Sequence, residues 1–193
     1  MTERILIING NPARNRRSFS EVLACAYNEG ALSSGHEVRM VKLADLDFDP
    51  ILHEGYHAVQ VVEPDLADVQ ASIQWASHIV FVYPMWQFNV PALVKGFCER
   101  AFTPGFAYRT DAKNPLDAPL LKGRSVRLIQ TMGMPGAVYW LAFRAHGGKA
   151  FKNLFGFCGF KPVRLSTLGL VEEGPETRQN HIAGVENLGR KGA

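Results

Sequence analysis

The sequence predicts an α/β fold: a doubly wound parallel sheet of five strands in the order 2-1-3-4-5, with helices on both faces. Three observations lead there. Short apolar runs alternate along the chain with segments of helical spacing. Most of these runs are apolar throughout, as in strands covered on both faces. Loops carrying Gly, Pro and aromatic residues follow the carboxyl ends of the runs, where open parallel sheets place ligands.

Ile5-Leu6-Ile7-Ile8 reads as the first buried strand. Phe19, Val22, Leu23 and Ala26 then recur at helical spacing, and Gly35 follows the end of that helix. Glu37 to Leu43 alternates apolar and polar residues, as in a strand nearer the sheet edge. Leu66, Val69, Ile73 and Ala76 mark a second helix, with Asp65 as its expected cap. His78 to Val82 is the third strand; Pro91, suited to a first helical turn, opens a helix to about Phe102. A loop with Pro104, Pro115 and Pro119 leads to a fourth strand, Val126 to Thr131. A helical region from Tyr139 to Phe155 precedes the last strand, Val163 to Leu168. Pro175 then opens a polar helix with Ile182, Val185 and Leu188 on one face.

The 193 residues, 47% of them apolar, suffice for one domain spanning 1–193, without repeats or low-complexity tracts. With 21 basic and 18 acidic residues the net charge is +3, too balanced to imply a nucleic-acid partner. Cys25, Cys98 and Cys158 form no Cys-x-x-Cys pair and read as buried free thiols, which suits a reducing cytoplasm. Met1-Thr2-Glu3-Arg4 leads straight into a strand without a secretory pattern. No apolar run approaches the ~18–20 residues of a membrane span. A cytoplasmic location is the expectation.

Three loops carry candidate chemistry. Between the third strand and Pro91 lies Pro84-Met85-Trp86-Gln87-Phe88-Asn89. Two aromatics among backbone amides there suit a flat, conjugated cofactor with a polar edge. After the first strand, Ser18 and Glu21 form a Ser-x-x-Glu capping box, so a helix should start at Ser18. Its free N–H groups, with Arg14, Arg16 and Arg17 beside them, favour a phosphate or pyrophosphate. This is neither a Walker loop nor Gly-x-Gly-x-x-Gly, and the same residues also read as a solvated basic loop capping an ordinary helix. The fourth strand ends in Thr131-Met132-Gly133-Met134-Pro135-Gly136, a source of backbone donors or an ordinary strand-to-helix turn.

The Trp86 loop resembles the flavin loop of the NAD(P)H:quinone oxidoreductase (DT-diaphorase-like) family, within the flavodoxin-like folds. There the pattern is Pro, apolar, two positions shared by Gln and Trp, Phe, small, Val-Pro-Ala, then apolar-Lys-Gly-aromatic. Pro84 to Phe97 follows it, with Trp86-Gln87 in the reverse order of some members. Ser18-Phe19-Ser20 stands where the family's Ser-Phe-Asn opens a helix on the pyrophosphate, and Asn11 where His is frequent. Thr131-Met132-Gly133-Met134 falls at the family's Thr-Thr-Gly-Gly, whose donors face the flavin pyrimidine edge; Met132 and Met134 depart, and Pro135 brings no N–H. Tyr139 follows Thr131 at the family's active-site spacing, while His146 stands one residue beyond the family's His. These two would steady charge and supply a proton to the quinone oxygen. Phe106-Ala107-Tyr108 matches a Phe-Ala-Tyr whose Tyr enters the substrate pocket from a partner subunit; Thr110 replaces a second Tyr. Gly174-Pro175-Glu176-Thr177-Arg178 resembles a segment whose Arg reaches the outer part of FAD, although on its own Arg178 reads as a solvated helix charge. The resemblance runs from about Arg4 to Leu188.

The resemblance implies a flavin-dependent NAD(P)H oxidoreductase that carries two electrons to quinones or similar acceptors with ping-pong kinetics, as a homodimer. FAD is the implied cofactor, FMN its alternative, and NAD(P)H the cosubstrate. Tyr139 and His146 are the catalytic candidates. Asn11, Arg17, Ser18, Phe19, Ser20, Pro84, Met85, Trp86, Gln87, Phe88, Thr131, Met132, Gly133 and Arg178 are the cofactor candidates, and Phe106 and Tyr108 the substrate-pocket candidates. Rival readings are a flavin-binding ancillary subunit and a one-electron flavodoxin-type carrier, the latter at odds with a positive net charge. His53-Glu54-Gly55-Tyr56-His57 spells the His-Glu-x-x-His zinc signature, leaving a zinc hydrolase as a remote alternative. That motif needs a stable helix, and Gly55 with the flanking Pro50 and Pro64 argues against one here.

Overall fold

A computed structural model describes residues 2–55, 57–58, 60–114 and 117–193. Strands β1 (Arg4–Asn9), β2 (Glu37–Lys42), β3 (His78–Pro84), β4 (Ser125–Thr131) and β5 (Val163–Leu168) form one sheet in the order β2-β1-β3-β4-β5. Every pair is parallel. The expected doubly wound architecture is borne out. The helices are α1 (Phe19–Ser33), α2 (Pro64–Trp75), α3 (Ala92–Ala101), α4 (Gly136–Leu141), α5 (His146–Cys158) and α6 (Pro175–Lys191).

Period-two alternation divides the strand residues between two cores. Leu6, Ile8, Ile79, Phe81 and Leu128 face α2, α3 and α5, where Phe97, Phe151 and Phe155 surround Phe81. Ile5, Ile7, Val80, Val82 and Ile129 face α1 and α6. Those two helices pack unusually close. A Cβ on Gly30 would stand 2.1 Å from the Glu186 carbonyl oxygen, and one on Gly189 would stand 2.2 Å from that of Tyr27.

Several local expectations are corrected. Asp65 does not cap α2: Glu63 is the N-cap, Pro64 takes the first position, and the Asp65 carboxylate accepts from the Asp47 amide at 2.7 Å. The predicted helical region from Tyr139 to Phe155 is two helices, broken where Arg144 and Ala145 adopt φ of 53° and 50°. Cys25 is only half buried; Cys98 and Cys158 are buried, and all three are free. Burial pushes the Cys158 thiol up to about 12, so it is inert at neutral pH. Pro115, in the predicted Pro-rich loop, and Tyr56, in the zinc-like motif, lie outside the described residues.

Asp49, Val61 and Glu63 are tied together by Arg100, a buried residue of α3. Its guanidinium pairs with the Glu63 carboxylate at 2.7 Å and donates to the Asp49 and Val61 carbonyls at 3.0 and 2.7 Å. No described helix is long and apolar enough to cross a membrane.

Candidate cofactor and active site

The register aligns Asn9 with Val82, and Pro84 with Thr131 and Leu168, so the loops after β1, β3, β4 and β5 emerge along one edge. Asn9 Oδ1 accepts from the Asn11 amide at 3.1 Å, and Asn11 Oδ1 from the Ala13 amide at 2.9 Å. These two Asx turns shape the β1–α1 loop and explain why Asn11 is buried. Arg14 is tied back to the Ala44 carbonyl at 2.5 Å, leaving Arg16 and Arg17 exposed beside the helix start.

Ser18 is the N-cap of α1, its Oγ accepting from the Glu21 amide at 3.2 Å. The reciprocal half of the capping box is not formed, because the Glu21 carboxylate pairs with Lys42 at 3.7 Å. No acceptor among the described residues takes the Phe19 or Ser20 amides. Two donors and a positive dipole end therefore face out of the sheet edge. The Arg178 guanidinium lies over the Phe19 ring, 4.6 Å from its centroid, and adds charge at the same place. Ser20 is buried, at 1% exposure.

The β3–α3 connection is a tight turn. Trp86 and Asn89 exchange two backbone hydrogen bonds of 2.9 Å, and Met85 donates to the Thr131 carbonyl at 2.8 Å. Gln87 and Phe88, the two central residues, have φ of 48° and 64°. A turn with both central φ positive ordinarily takes Asn-Gly, so Gln-Phe is strained there. The strain leaves Trp86 and Phe88 at 50% and 43% exposure. Behind the turn sits α5: a Cβ on Gly147 would stand 1.9 Å from the Phe88 carbonyl oxygen, so only glycine fits.

Met132 donates to the Leu168 carbonyl at 3.0 Å and accepts from the Val171 amide at 3.3 Å, zipping the β4–α4 loop to the β5–α6 loop. The Gly133 amide is exposed, with no acceptor among the described residues. Met132 and Met134, the departures from the family pattern, pack with Met85 around Tyr139 and Ala145. Tyr139 is fully buried, and its hydroxyl oxygen accepts from the Gly148 amide at 2.9 Å. It thereby fills the role of a capping side chain for α5, which has none at Ala145. His146, the first residue of α5, is exposed beside it.

The sheet edge thus brings together the candidates of the α1 start, the Trp86 turn and the Thr131 loop, with Tyr139, His146 and Arg178. Phe106 and Tyr108 stand apart. Tyr108 packs on Phe157 near the far end of α5, ring centroids 5.0 Å apart. Phe157 stands eleven residue steps along α5 from His146, roughly 16 Å along the axis. A cavity of about 470 Å³ adjoins Tyr108, lined also by Leu52, His57, Gln60, Arg100 and Thr103 and by none of the sheet-edge loop candidates.

Two aromatics of the site were not singled out from sequence. Phe143 stacks on Phe88 with centroids 4.6 Å apart, and the Trp140 indole N–H donates to Thr167 Oγ1 at 3.2 Å. Their spacing, exposed aromatics one helical turn apart, was the available signal. The zinc-like motif is not helical: residues 53–55 form a turn, and His53 is held by the Asp49 carboxylate at 2.8 Å. No cluster of metal-ligating side chains occurs among the described residues.

A family model described as having a flavodoxin-like fold matches residues 3–188. The chain belongs to this flavodoxin-like family. An uncharacterized NAD(P)H oxidoreductase of Haemophilus influenzae is 28% identical over 169 residues, covering 85% of this chain and 82% of the relative. NAD(P)H dehydrogenase [quinone] 1 of Cavia porcellus is 27% identical over 210 residues, covering 94% of this chain and 74% of the relative. Among solved structures, an FMN-dependent NADH-azoreductase of Bacillus anthracis in complex with FMN superposes with a TM-score of 0.74. It is 18% identical and the match covers 98% of this chain and 99% of that one. The resemblance read from the Trp86 loop is borne out at the level of the family and its oxidoreductase relatives.

Proposed function

We propose that this protein is a flavin-dependent NAD(P)H oxidoreductase that reduces quinones or similar acceptors by two electrons. The observation that carries the reading is the strained Trp86–Asn89 turn. It presents two half-exposed aromatics on the same sheet edge as the open Gly133, Phe19 and Ser20 amides. Aromatic surface, a donor at a polar edge and an anion site fit the ring and phosphate of a flavin. When bound, the flavin supplies the hydride chemistry, accepting from NAD(P)H and passing two electrons to the acceptor in turn.

The chain's own residues divide the remaining tasks. Trp86, Gln87 and Phe88 line the ring, with Pro84 and Met85 fixing where the turn begins. Gly133 presents the donor edge, with Thr131 and Met132 holding the loop that carries it, and a fixed dipole there stabilises developing negative charge. Asn11, Arg17, Ser18, Phe19 and Ser20 hold the first phosphate. Arg178, stacked on Phe19 beside that site, is the residue we assign to the outer part of FAD, on the resemblance of segment Gly174 to Arg178. His146 supplies a proton to the acceptor oxygen, and Tyr139 holds the helix turn that carries it.

The far position of Phe106 and Tyr108 supports a symmetric homodimer in which one protomer's loop covers its partner's ring. Exposed Trp140, Leu141 and Phe143 at one end and Leu120 and Phe157 at the other offer apolar surface for such a contact. The test is an absorption spectrum of the purified protein, mass identification of the released flavin, and NAD(P)H turnover with a simple quinone. Bound flavin with rapid turnover is expected. Absence of flavin sinks the reading, and flavin without turnover leaves a carrier or ancillary subunit instead.

A further inference from the structure

Two arginines stand side by side on the sheet face that α1 and α6 cover. Arg127 of β4 and Arg164 of β5 are register partners, so their side chains leave the same face about 5 Å apart at the backbone. His78 is on that face too. Its register partner is Ser125, two residues before Arg127, and the ring is fixed by a 2.7 Å hydrogen bond between Nδ1 and Ser125 Oγ. In the tautomer in which the Ser125 hydroxyl donates, Nε2 carries the hydrogen. That atom is buried without a partner in a residue only 2% exposed.

Arg127 shows the same deficit. One terminal nitrogen donates to Ser166 Oγ at 2.8 Å, but its Nε is buried with no acceptor. Arg164 is exposed and stands at the mouth. No carboxylate forms an ion pair with any of the three among the described residues. Burial, followed by the charges of Arg127, Arg164 and His36, pushes His78 down to about 4.

Like charges directly opposed on neighbouring strands repel, and buried donors without acceptors are rare in folded proteins. Water would satisfy the donors and leave the repulsion in place. An anion with several acceptor oxygens answers both. We propose that Arg127, Arg164 and His78 form a binding site for a tetrahedral oxyanion of the phosphate or sulfate class. The site is separate from the sheet-edge loops: Arg127 precedes Thr131 by four strand residues, roughly 13 Å.

The test uses flavin-loaded protein, so that the α1 start is already occupied. It is titrated calorimetrically with sodium phosphate, sodium sulfate and glycerol phosphate, against sodium chloride at matched ionic strength. Saturable binding of phosphate or sulfate, at least tenfold tighter than chloride, is expected, with a shift of the His78 ring signals in NMR. Arg164→Met should weaken it tenfold or more without loss of fold, because Arg164 is exposed; Arg127→Met should do the same. Equal affinity for glycerol phosphate marks the phosphate end of a larger molecule, and preference for the inorganic ions marks a free anion. Phosphate binding no tighter than chloride, or equal affinity in wild type and Arg164→Met, overturns the site.

Discussion

Replacing Gln87 by glycine should make the protein more stable and worse at its task. Gln87 has φ of 48° in an exposed turn. An L residue pays about 1–2 kcal/mol in the left-handed region, and glycine pays nothing there. Against this, glycine's freedom in the unfolded chain costs about 0.5–1 kcal/mol. The net gain for flavin-free protein is roughly 0.5–1 kcal/mol, or about 1–4 °C in Tm for a chain of this size. Flavin affinity should move the other way. The lost side chain removes about one hydrogen bond, ~0.5–1.5 kcal/mol, or a few-fold to tenfold weaker binding. Thermal unfolding of flavin-free protein and fluorescence titration with flavin measure the two effects separately. A lower Tm would show that the turn is not strained at Gln87. An unchanged flavin affinity would show that the strain serves something other than the ring.

His146→Ala should slow quinone reduction while flavin content stays near normal, by up to ~10²–10⁴-fold and less where solvent substitutes as the acid. A rate unchanged from pH 6 to 8 removes His146 from the chemistry. Arg178→Ala should weaken FAD roughly threefold to tenfold and leave FMN alone; an equal loss for both flavins ends the FAD assignment. Analytical sedimentation at micromolar concentration should give a dimer, and a fully active monomer contradicts the shared pocket. Stability in phosphate-free buffer should fall between pH 6.5 and about 4, because buried His78 titrates near 4 in the folded chain against an ordinary 6.5. Unfolding takes up its proton in that window, so stability is full above it, with a slope of up to ~1.4 kcal/mol per pH unit that His78→Gln should remove.

The sheet was legible because its signals are local. Ile5 to Ile8 and His78 to Val82 are apolar throughout, and burial on both faces is what such a run demands. Ser18 announced the start of α1 for the same reason: capping needs one hydroxyl at one position. The break at Arg144 and Ala145 was not legible, because neither residue favours a positive φ. Their conformation is set by contacts made elsewhere, with Gly147 pressed on the Phe88 carbonyl and the Ala145 amide bonded to the Tyr139 carbonyl at 3.1 Å. The cap of α2 was misread because Asp65, a strong capping type, already serves the Asp47 amide, a contact that spacing along one helix cannot reveal. Within the site, the Trp86 turn with its two aromatics was legible, whereas Trp140 and Phe143 were not singled out. The burial of Tyr139 and its bond to Gly148 were not legible either, since both depend on how α4 folds back on α5.

That folding back couples two parts of the proposed site that the sequence lists separately. The Phe88 carbonyl rests against Gly147, and the Tyr139 hydroxyl holds the Gly148 amide, so both contacts bear on the first turn of α5. His146 is the residue immediately before them. Phe143, in the linker that enters α5, stacks on Phe88 and joins the same turn from the other side. The methionines at 132 and 134, which replace smaller residues of the family pattern, fill the space around Tyr139 and keep its oxygen where the helix needs it. A displacement of α5 would therefore move the Trp86–Asn89 turn and His146, the residue proposed as proton donor, together. A misplacement of reacting groups by about 1 Å can cost ~10²-fold in rate. A helix start in contact with the Trp86–Asn89 turn and carrying His146 would hold the two in one arrangement through the proposed reaction.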